Sequence, residues 1–229
     1  GVLILDKNPV LGGYVTSFER KGFVFDTCQM ASAVGDILDY FGIEMDWRIF
    51  RDDFMRVIRA DTATGTTRTW EFSADTTEFR TQMIALFPEQ AAALETFFNH
   101  AEAMFAELFD LKYEFNPVAM LSMLLRCPKV IRCASKTFDE YYARFGFTDK
   151  QPYEVFQVFS ALCGLPNKDI AALLPVGVML SLLENACRPV GPFIDLPRKM
   201  EERFRALGGE VRLNSKVEQI LVRGDKAIG

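Results

Sequence analysis

The stretch GVLILDKNPVLGGYVTSF, residues 1–18, decides the reading of the fold. Val2-Leu3-Ile4-Leu5 is an aliphatic run of strand length, and an apolar run without alternation predicts a parallel strand covered on both faces. Asp6 stands at its carboxyl end. Gly12-Gly13 then predict a loop, because residues without a Cβ adopt left-handed backbone at little cost.

Outward from this point, residues 18–26 (FERKGFVFD) read as a short hairpin-like or extended passage. Val34, Ile37, Leu38 and Phe41 recur at helical spacing, with Gly42 as the C-terminal cap. The segments 54–60 (FMRVIRA) and 66–72 (TTRTWEF) flank a turn at Asp61–Gly65 and predict a hairpin. From Asp75 the period changes to 3.6. Asp75 and Glu78 fit an N-cap with a carboxylate at N3, Phe79, Met83 and Phe87 line one face, and Pro88 opens a second helix. Its stripe is Leu94, Phe97, Phe98, Ala101, Phe105 and Leu108. Residues from about 75 to 185 read as mainly helical. Near the end, Leu196, Met200, Phe204 and Leu207 form another helical stripe closed by Gly208-Gly209. EVRL (210–213) follows as a strand, and SKVEQILV (215–222) and KAIG (226–229) as strands about Arg223-Gly224-Asp225. The predicted class is α/β, α+β overall, with an α/β domain split in sequence around a helical insert.

Composition narrows the chemistry. Apolar residues are 49% of the 229 and charged residues 25%, with 21 Phe and 9 Met, which leans toward a greasy pocket. A formal charge of −5 and a pI of about 5.1 argue against a nucleic-acid partner, which needs clustered cations. Cysteines 28, 127, 133, 163 and 187 contain no CxxC pair and His100 is the only histidine, too few soft ligands for zinc. The reading is no metal, and free thiols in a reducing, cytoplasmic compartment. His100 flanks a helical stripe and reads as a satisfied, partly buried side chain rather than a catalyst. No signal segment is read at the start. The longest mostly apolar stretch, Ile170–Leu183, is too short to span a bilayer and is interrupted by Pro175 and Gly177.

In a dinucleotide-binding βαβ unit, a glycine-rich turn holds the pyrophosphate and an acid at the end of the second strand accepts the ribose hydroxyls. Asp6 fits that acid. Asp6-Lys7-Asn8-Pro9 also reads as nothing more than a polar turn, and the short motif leaves both readings open.

The string LILDKNPVLGGYVTSFERKGFVFD, residues 3–26, resembles the second strand and following segment of the FAD-dependent amine-oxidase-like superfamily. It is most similar to the branch of phytoene desaturases, carotenoid isomerases and retinol saturases. The pattern is carried by Asp6, Lys7, Asn8, Gly12-Gly13, Ser17 and Gly22–Asp26. RPVGPFIDLPRKMEERFRALGGEVRLNSKVEQILV, residues 188–222, is similar to that family's return segment, and FQVFSALCGLPNKDIAALLP, residues 156–175, to its helical substrate region.

The resemblance implies a Rossmann-like FAD-binding domain made of residues 1–35 and 186–229, with a substrate domain at 36–185. It implies that the chain is a fragment, entering at the family's second strand and ending before its carboxyl-terminal part. Asp6 would accept the FAD ribose and Lys7 would neighbour it. Gly12 and Gly13 would let the chain pass close to the phosphates, and the backbone of Val217 would pair with adenine. Tyr14 stands among these cofactor contacts where the family often has arginine. Asp26-Thr27-Cys28 and Gly191-Pro192 also depart from the pattern, in favour of a saturase-like or isomerase-like relative.

The implied activity is flavin hydride transfer on a carotenoid, retinoid or other isoprenoid polyene. No catalytic side chain is assigned, since the flavin carries the chemistry. Two alternatives stand beside it: a flavin amine oxidase of the same superfamily, and a non-catalytic apolar-ligand or membrane-binding module. Residues 117–136 place Arg126, Lys129, Arg132 and Lys136 after an apolar run. They read either as an interfacial segment of a membrane-associated protein or as a buried helix with a basic edge.

Overall fold

The computed structural model describes residues 1–27, 35–61, 64–109 and 125–228. Cys28, Val34, two residues of the 61–65 turn and residues 117–124 of the basic segment lie outside them. Contacts divide the chain into two units, Gly1–Ile49 with Cys187–Gly229, and Phe50–Ala186. The boundaries read from sequence were 35/36 and 185/186. Residues up to Ile49 join the first unit because their strand pairs with residues Cys187–Pro189.

The first unit contains β1 (Leu3–Leu5), β2 (Ser17–Arg20), β3 (Phe23–Asp26), α1 (Gly35–Tyr40) and β4 (Trp47–Ile49). The second contains β5 (Met55–Asp61), β6 (Thr66–Phe72), α2 (Thr76–Leu86), α3 (Ala91–Phe109), α4 (Pro128–Ala134), α5 (Phe138–Tyr142), α6 (Gln151–Leu162) and α7 (Leu173–Asn185). The first resumes with β7 (Cys187–Pro189), α8 (Asp195–Ala206), β8 (Glu210–Arg212), β9 (Val222–Arg223) and β10 (Lys226–Ala227).

The architecture is mixed α/β, but its strands form five two-stranded sheets among the described residues, not one doubly wound Rossmann-like sheet. Among the described strands only β1 and β8 run parallel, with Ile4 opposite Val211. β1 is not covered on both faces as its composition predicts, for Leu3 is 44% and Leu5 43% exposed. The apolar run encodes a strand whose burial depends on what packs on it, and within the described chain that is little.

In the β2–β3 hairpin, Lys21 and Gly22 both take positive φ, 54° and 77°, as a type I′ turn requires. Phe18 stacks on Phe25 across the strands with ring centroids 5.4 Å apart. α1 ends as its spacing predicts, with Gly42 left-handed, and its Leu38 is buried against Ile43 and Leu196. Val15, Met45 and Trp47 pack around that cluster. The α8 stripe is only partly core: Leu196 is buried while Met200 and Leu207 are exposed. Of residues 215–222, only Val222 joins a strand, and the segment before it has no regular structure.

In the second unit β5 and β6 pair from Met55 opposite Phe72 to Asp61 opposite Thr66. Asp75 caps α2, its side chain accepting the Glu78 amide at 2.8 Å. A 3₁₀ turn at Pro88–Gln90 leads into α3. Phe72, Phe79, Phe97, Phe98, Phe156 and Phe159 are all at most 1% exposed, and the Phe97 and Phe156 rings lie 4.5 Å apart. Each such burial is worth about 1.5–3 kcal/mol. The aromatic abundance that suggested a greasy pocket is thus used, at these positions, to fill a packed core.

α7 runs through Pro175 and Gly177 without a break. Pro175 lies in the first turn, where its missing N–H has no intrahelical partner to lose. α4, the described part of the basic segment, buries Val130 and Cys133. Glu107 caps its start: Oε2 accepts the Lys129 and Val130 amides at 2.7 and 3.1 Å, and Oε1 meets Lys129 Nζ at 3.0 Å. Lys136 faces Glu140 at 3.8 Å. Two of the four cations are therefore paired with the protein's own carboxylates. Among the described residues no helix is long and apolar enough to cross a membrane.

Candidate functional site

The sequence places Asp6 at the tip of β1, and the fold brings the far end of the chain to it. Past the β1–β8 ladder, the Asp6 amide donates to the Arg212 carbonyl at 3.0 Å. The Asp6 carbonyl accepts the Ser215 amide at 2.7 Å, and the Asn8 carbonyl accepts the Asn214 amide at 3.0 Å. Asn214 makes the necessary bend with φ 51°, a conformation asparagine tolerates better than most residues. The chain leaving β8 is therefore bonded along the Asp6–Asn8 turn, and Val217, 52% exposed, follows two residues after Ser215.

The Asp6 carboxylate is half-buried, and its Oδ1 accepts the Asn8 amide at 2.8 Å, an Asx turn. Its Oδ2 accepts no hydrogen bond from the described residues. One oxygen thus closes the polar turn while the other remains available as an acceptor. The two readings of Asp6-Lys7-Asn8-Pro9 are compatible.

The glycine pair divides its roles. Gly12 has φ 117°, and a Cβ there would collide with the Val15 carbonyl oxygen and come within 2.8 Å of Pro197 Cγ. Its carbonyl accepts the Val15 amide at 2.8 Å. The close approach that Gly12 permits is to the protein's own Val15 and Pro197. Gly13, at φ 57°, needs the left-handed region only, with open space where a side chain would stand. Tyr14 is 94% exposed, and its carbonyl accepts the Thr27 hydroxyl at 2.5 Å. Lys7 is also exposed.

Beside this turn an apolar cleft of about 410 Å³ is lined by Ile4, Leu11 and Gly12 on one side and Leu196, Met200 and Phe204 of α8 on the other. The fold therefore gathers Asp6, the 212–215 backbone and a Gly12-lined cleft within the first unit. Lys7, Gly13 and Tyr14 face solvent at its edge.

Ser17 and Asp26 carried the resemblance without a role, and the structure supplies one. Asp26 Oδ1 accepts the Ser17 hydroxyl at 2.5 Å and the Phe193 amide at 2.9 Å, and its Oδ2 meets the Arg188 guanidinium at 2.8 Å. Ser17 Oγ in turn accepts the Ile194 amide at 3.1 Å. The two side chains satisfy amides at the entry to α8, which otherwise lack intrahelical partners, and so tie the β2–β3 hairpin to that helix. Arg188 was missed in the sequence. Its signal is faint, a cation in the three-residue strand that precedes Gly191-Pro192.

No protein-family model matches the chain, and no curated protein matches it significantly. Solved structures do. An oxidoreductase from Methanosarcina mazei aligns over 100% of this chain and 49% of its own, with TM-score 0.59 and 16% identity. Wild-type putrescine oxidase bound to putrescine aligns over 92% of this chain and 44% of its own, with TM-score 0.54 and 16% identity. A triple mutant of that oxidase, made to redesign cofactor binding, gives TM-score 0.53 at 17% identity over the same shares. The chain spans about half the length of the structures it matches. At these identities the likeness is one of fold alone.

Proposed function

We propose that the chain forms part of a flavin-dependent oxidoreductase, its first unit holding the adenosine end of FAD at the tip of β1. The observation that carries this reading is the meeting of Asp6 with the segment after β8, two stretches about 200 residues apart bonded through Arg212 and Ser215. The residues present fit the group. Asp6 offers an acceptor oxygen toward a ribose hydroxyl, and the backbone beyond Ser215, including Val217, supplies amide and carbonyl groups of the kind that pair with an adenine edge. FAD, when bound, supplies the acceptor for a hydride removed from the substrate. This chain's part is to hold and orient it.

For the substrate, an amine is the better supported reading. One structure of similar fold is putrescine oxidase with putrescine bound, and the phenylalanines that argued for a polyene are largely core. A polyene lipid remains the second reading, favoured by the likeness of residues 3–26 and 188–222 to the desaturase and saturase branch. The membrane-associated location proposed with it rests on the basic segment.

The test is calorimetric titration of FAD into the purified protein and its Asp6→Ala variant. Losing a charged acceptor costs about 1.5–3 kcal/mol, so affinity should fall by roughly 10- to 150-fold. Equal affinity in the two proteins, or no FAD binding by wild type, overturns the cofactor reading. Anaerobic bleaching of the loaded protein by a diamine, and not by a carotenoid, separates the two substrates.

A further inference from the structure

The β4–β7 ladder sets two cations against each other. Arg48 and Arg188 are directly opposed in its antiparallel register. On either side of them, the Phe50 amide donates to the Ala186 carbonyl at 2.9 Å and the Val190 amide to the Asp46 carbonyl at 3.0 Å. Hydrogen-bonded pairs recur every two residues along an antiparallel ladder, so 48 and 188 form one as well, and their side chains leave the same face with Cβ atoms about 5 Å apart. Like charges in that position repel.

Asp26 answers only part of this charge. Its Oδ2 meets the Arg188 guanidinium at 2.8 Å, while its Oδ1 is taken by the Ser17 hydroxyl and the Phe193 amide. A guanidinium carries five N–H donors in a planar fork, so neither arginine is used up by a single contact. Both reach solvent: the Arg188 side chain is 39% exposed and Arg48 is exposed.

The same two arginines line a cavity of about 540 Å³ together with Pro189 and Val190, all four within the first unit. That volume is within the range of small-molecule sites, and among the described residues its lining holds no carboxylate. The lining is of two kinds. The guanidinium forks match the two coplanar oxygens of a carboxylate, and beside them Pro189 and the exposed Val190 offer aliphatic surface.

We propose that this face of the β4–β7 ladder binds an organic carboxylate, its anionic head held by Arg48 and Arg188 and its apolar body laid along Pro189 and Val190. The bound head brings negative charge to the point where the two cations oppose each other, so occupancy relieves their repulsion. The aliphatic half of the lining favours such a ligand over a bare inorganic oxyanion, and the arginines disfavour an ammonium. The site does not depend on the cofactor reading, since neither Asp6 nor β1 takes part in it.

Calorimetric titration at constant ionic strength tests it, with sodium hexanoate as the probe and inorganic phosphate and hexylammonium chloride as comparisons. Wild type should bind hexanoate more tightly than phosphate and show no saturable heat with hexylammonium. Arg48→Gln, at an exposed position, should lower hexanoate affinity roughly 10- to 150-fold, the loss expected for a charge-assisted hydrogen bond. Arg48→Lys keeps the charge without the fork and should fall between the two. Equal hexanoate affinity in wild type and Arg48→Gln, or phosphate or hexylammonium binding as tightly as hexanoate, overturns the proposal. A second measurement needs no variant to fold: in nitrogen-15 NMR of wild-type protein, hexanoate should shift the amide signals of Arg48, Arg188 and Val190, and hexylammonium should leave them in place. Hexanoate shifts that miss these three amides would also overturn it.

Discussion

Replacing Asp26 with alanine removes one carboxylate that holds three partners, Ser17, Phe193 and Arg188, and the cost follows from the geometry. Phe193 is 1% exposed, so its amide, now 2.9 Å from Asp26 Oδ1, has no ready substitute in water and costs about 1–2 kcal/mol when left unmet. The Arg188 side chain is 39% exposed and can rehydrate, so its ion pair contributes only about 0.5–1 kcal/mol. The Ser17 hydroxyl loses its acceptor but keeps the Ile194 amide, for about 0.5–1 kcal/mol more. The sum is about 3 kcal/mol. Asp26→Asn keeps an oxygen for Ser17 and Phe193 and should cost about half as much. The two tryptophans provide a clean assay, because Trp47 belongs to the first unit and Trp70 to the second. In a Trp70→Phe background, urea unfolding followed by Trp47 emission reports the unit that holds Asp26, with Trp47 packed against the Leu38, Ile43 and Leu196 cluster. A loss below about 1 kcal/mol for Asp26→Ala would refute the assignment of this network as the tie between hairpin and helix.

The two glycines should separate in the same assay. Gly12→Ala meets the Val15 oxygen and Pro197 and should cost well over 2 kcal/mol, whereas Gly13→Ala meets nothing and should cost about 1–2 kcal/mol from its left-handed backbone alone. Equal losses would mean that Gly12 is not constrained by packing. In the second unit, Asp75→Ala removes the α2 cap and should lower stability by about 1 kcal/mol, read by Trp70 emission in a Trp47→Phe background, while Asp75→Asn should restore most of it.

Local chemistry made much of this molecule legible. The Asp75 cap, the Gly42 stop, the β5–β6 hairpin and the Phe79, Met83 and Phe87 face follow from residues within a few positions of one another, where backbone preference and a 3.6 or 2.0 period act directly. The position of Asp6 directly after β1 was legible for the same reason, as an acid ending an aliphatic run.

What the sequence by itself determined, then, is where elements begin, end and turn their apolar side. Tertiary structure alone decided which partner each one meets. β1 looked fully covered, yet among the described residues it pairs with β8 alone, more than 200 residues away, and its aliphatic side chains stay exposed. The roles of Ser17 and Asp26 depended on amides at Phe193 and Ile194, and Glu107 found its partners at Lys129 and Val130. Likewise the phenylalanines could have lined a cavity or filled one another's spaces, and composition is the same in either case. Strand pairing and burial are properties of contacts between distant segments, and no local period records them.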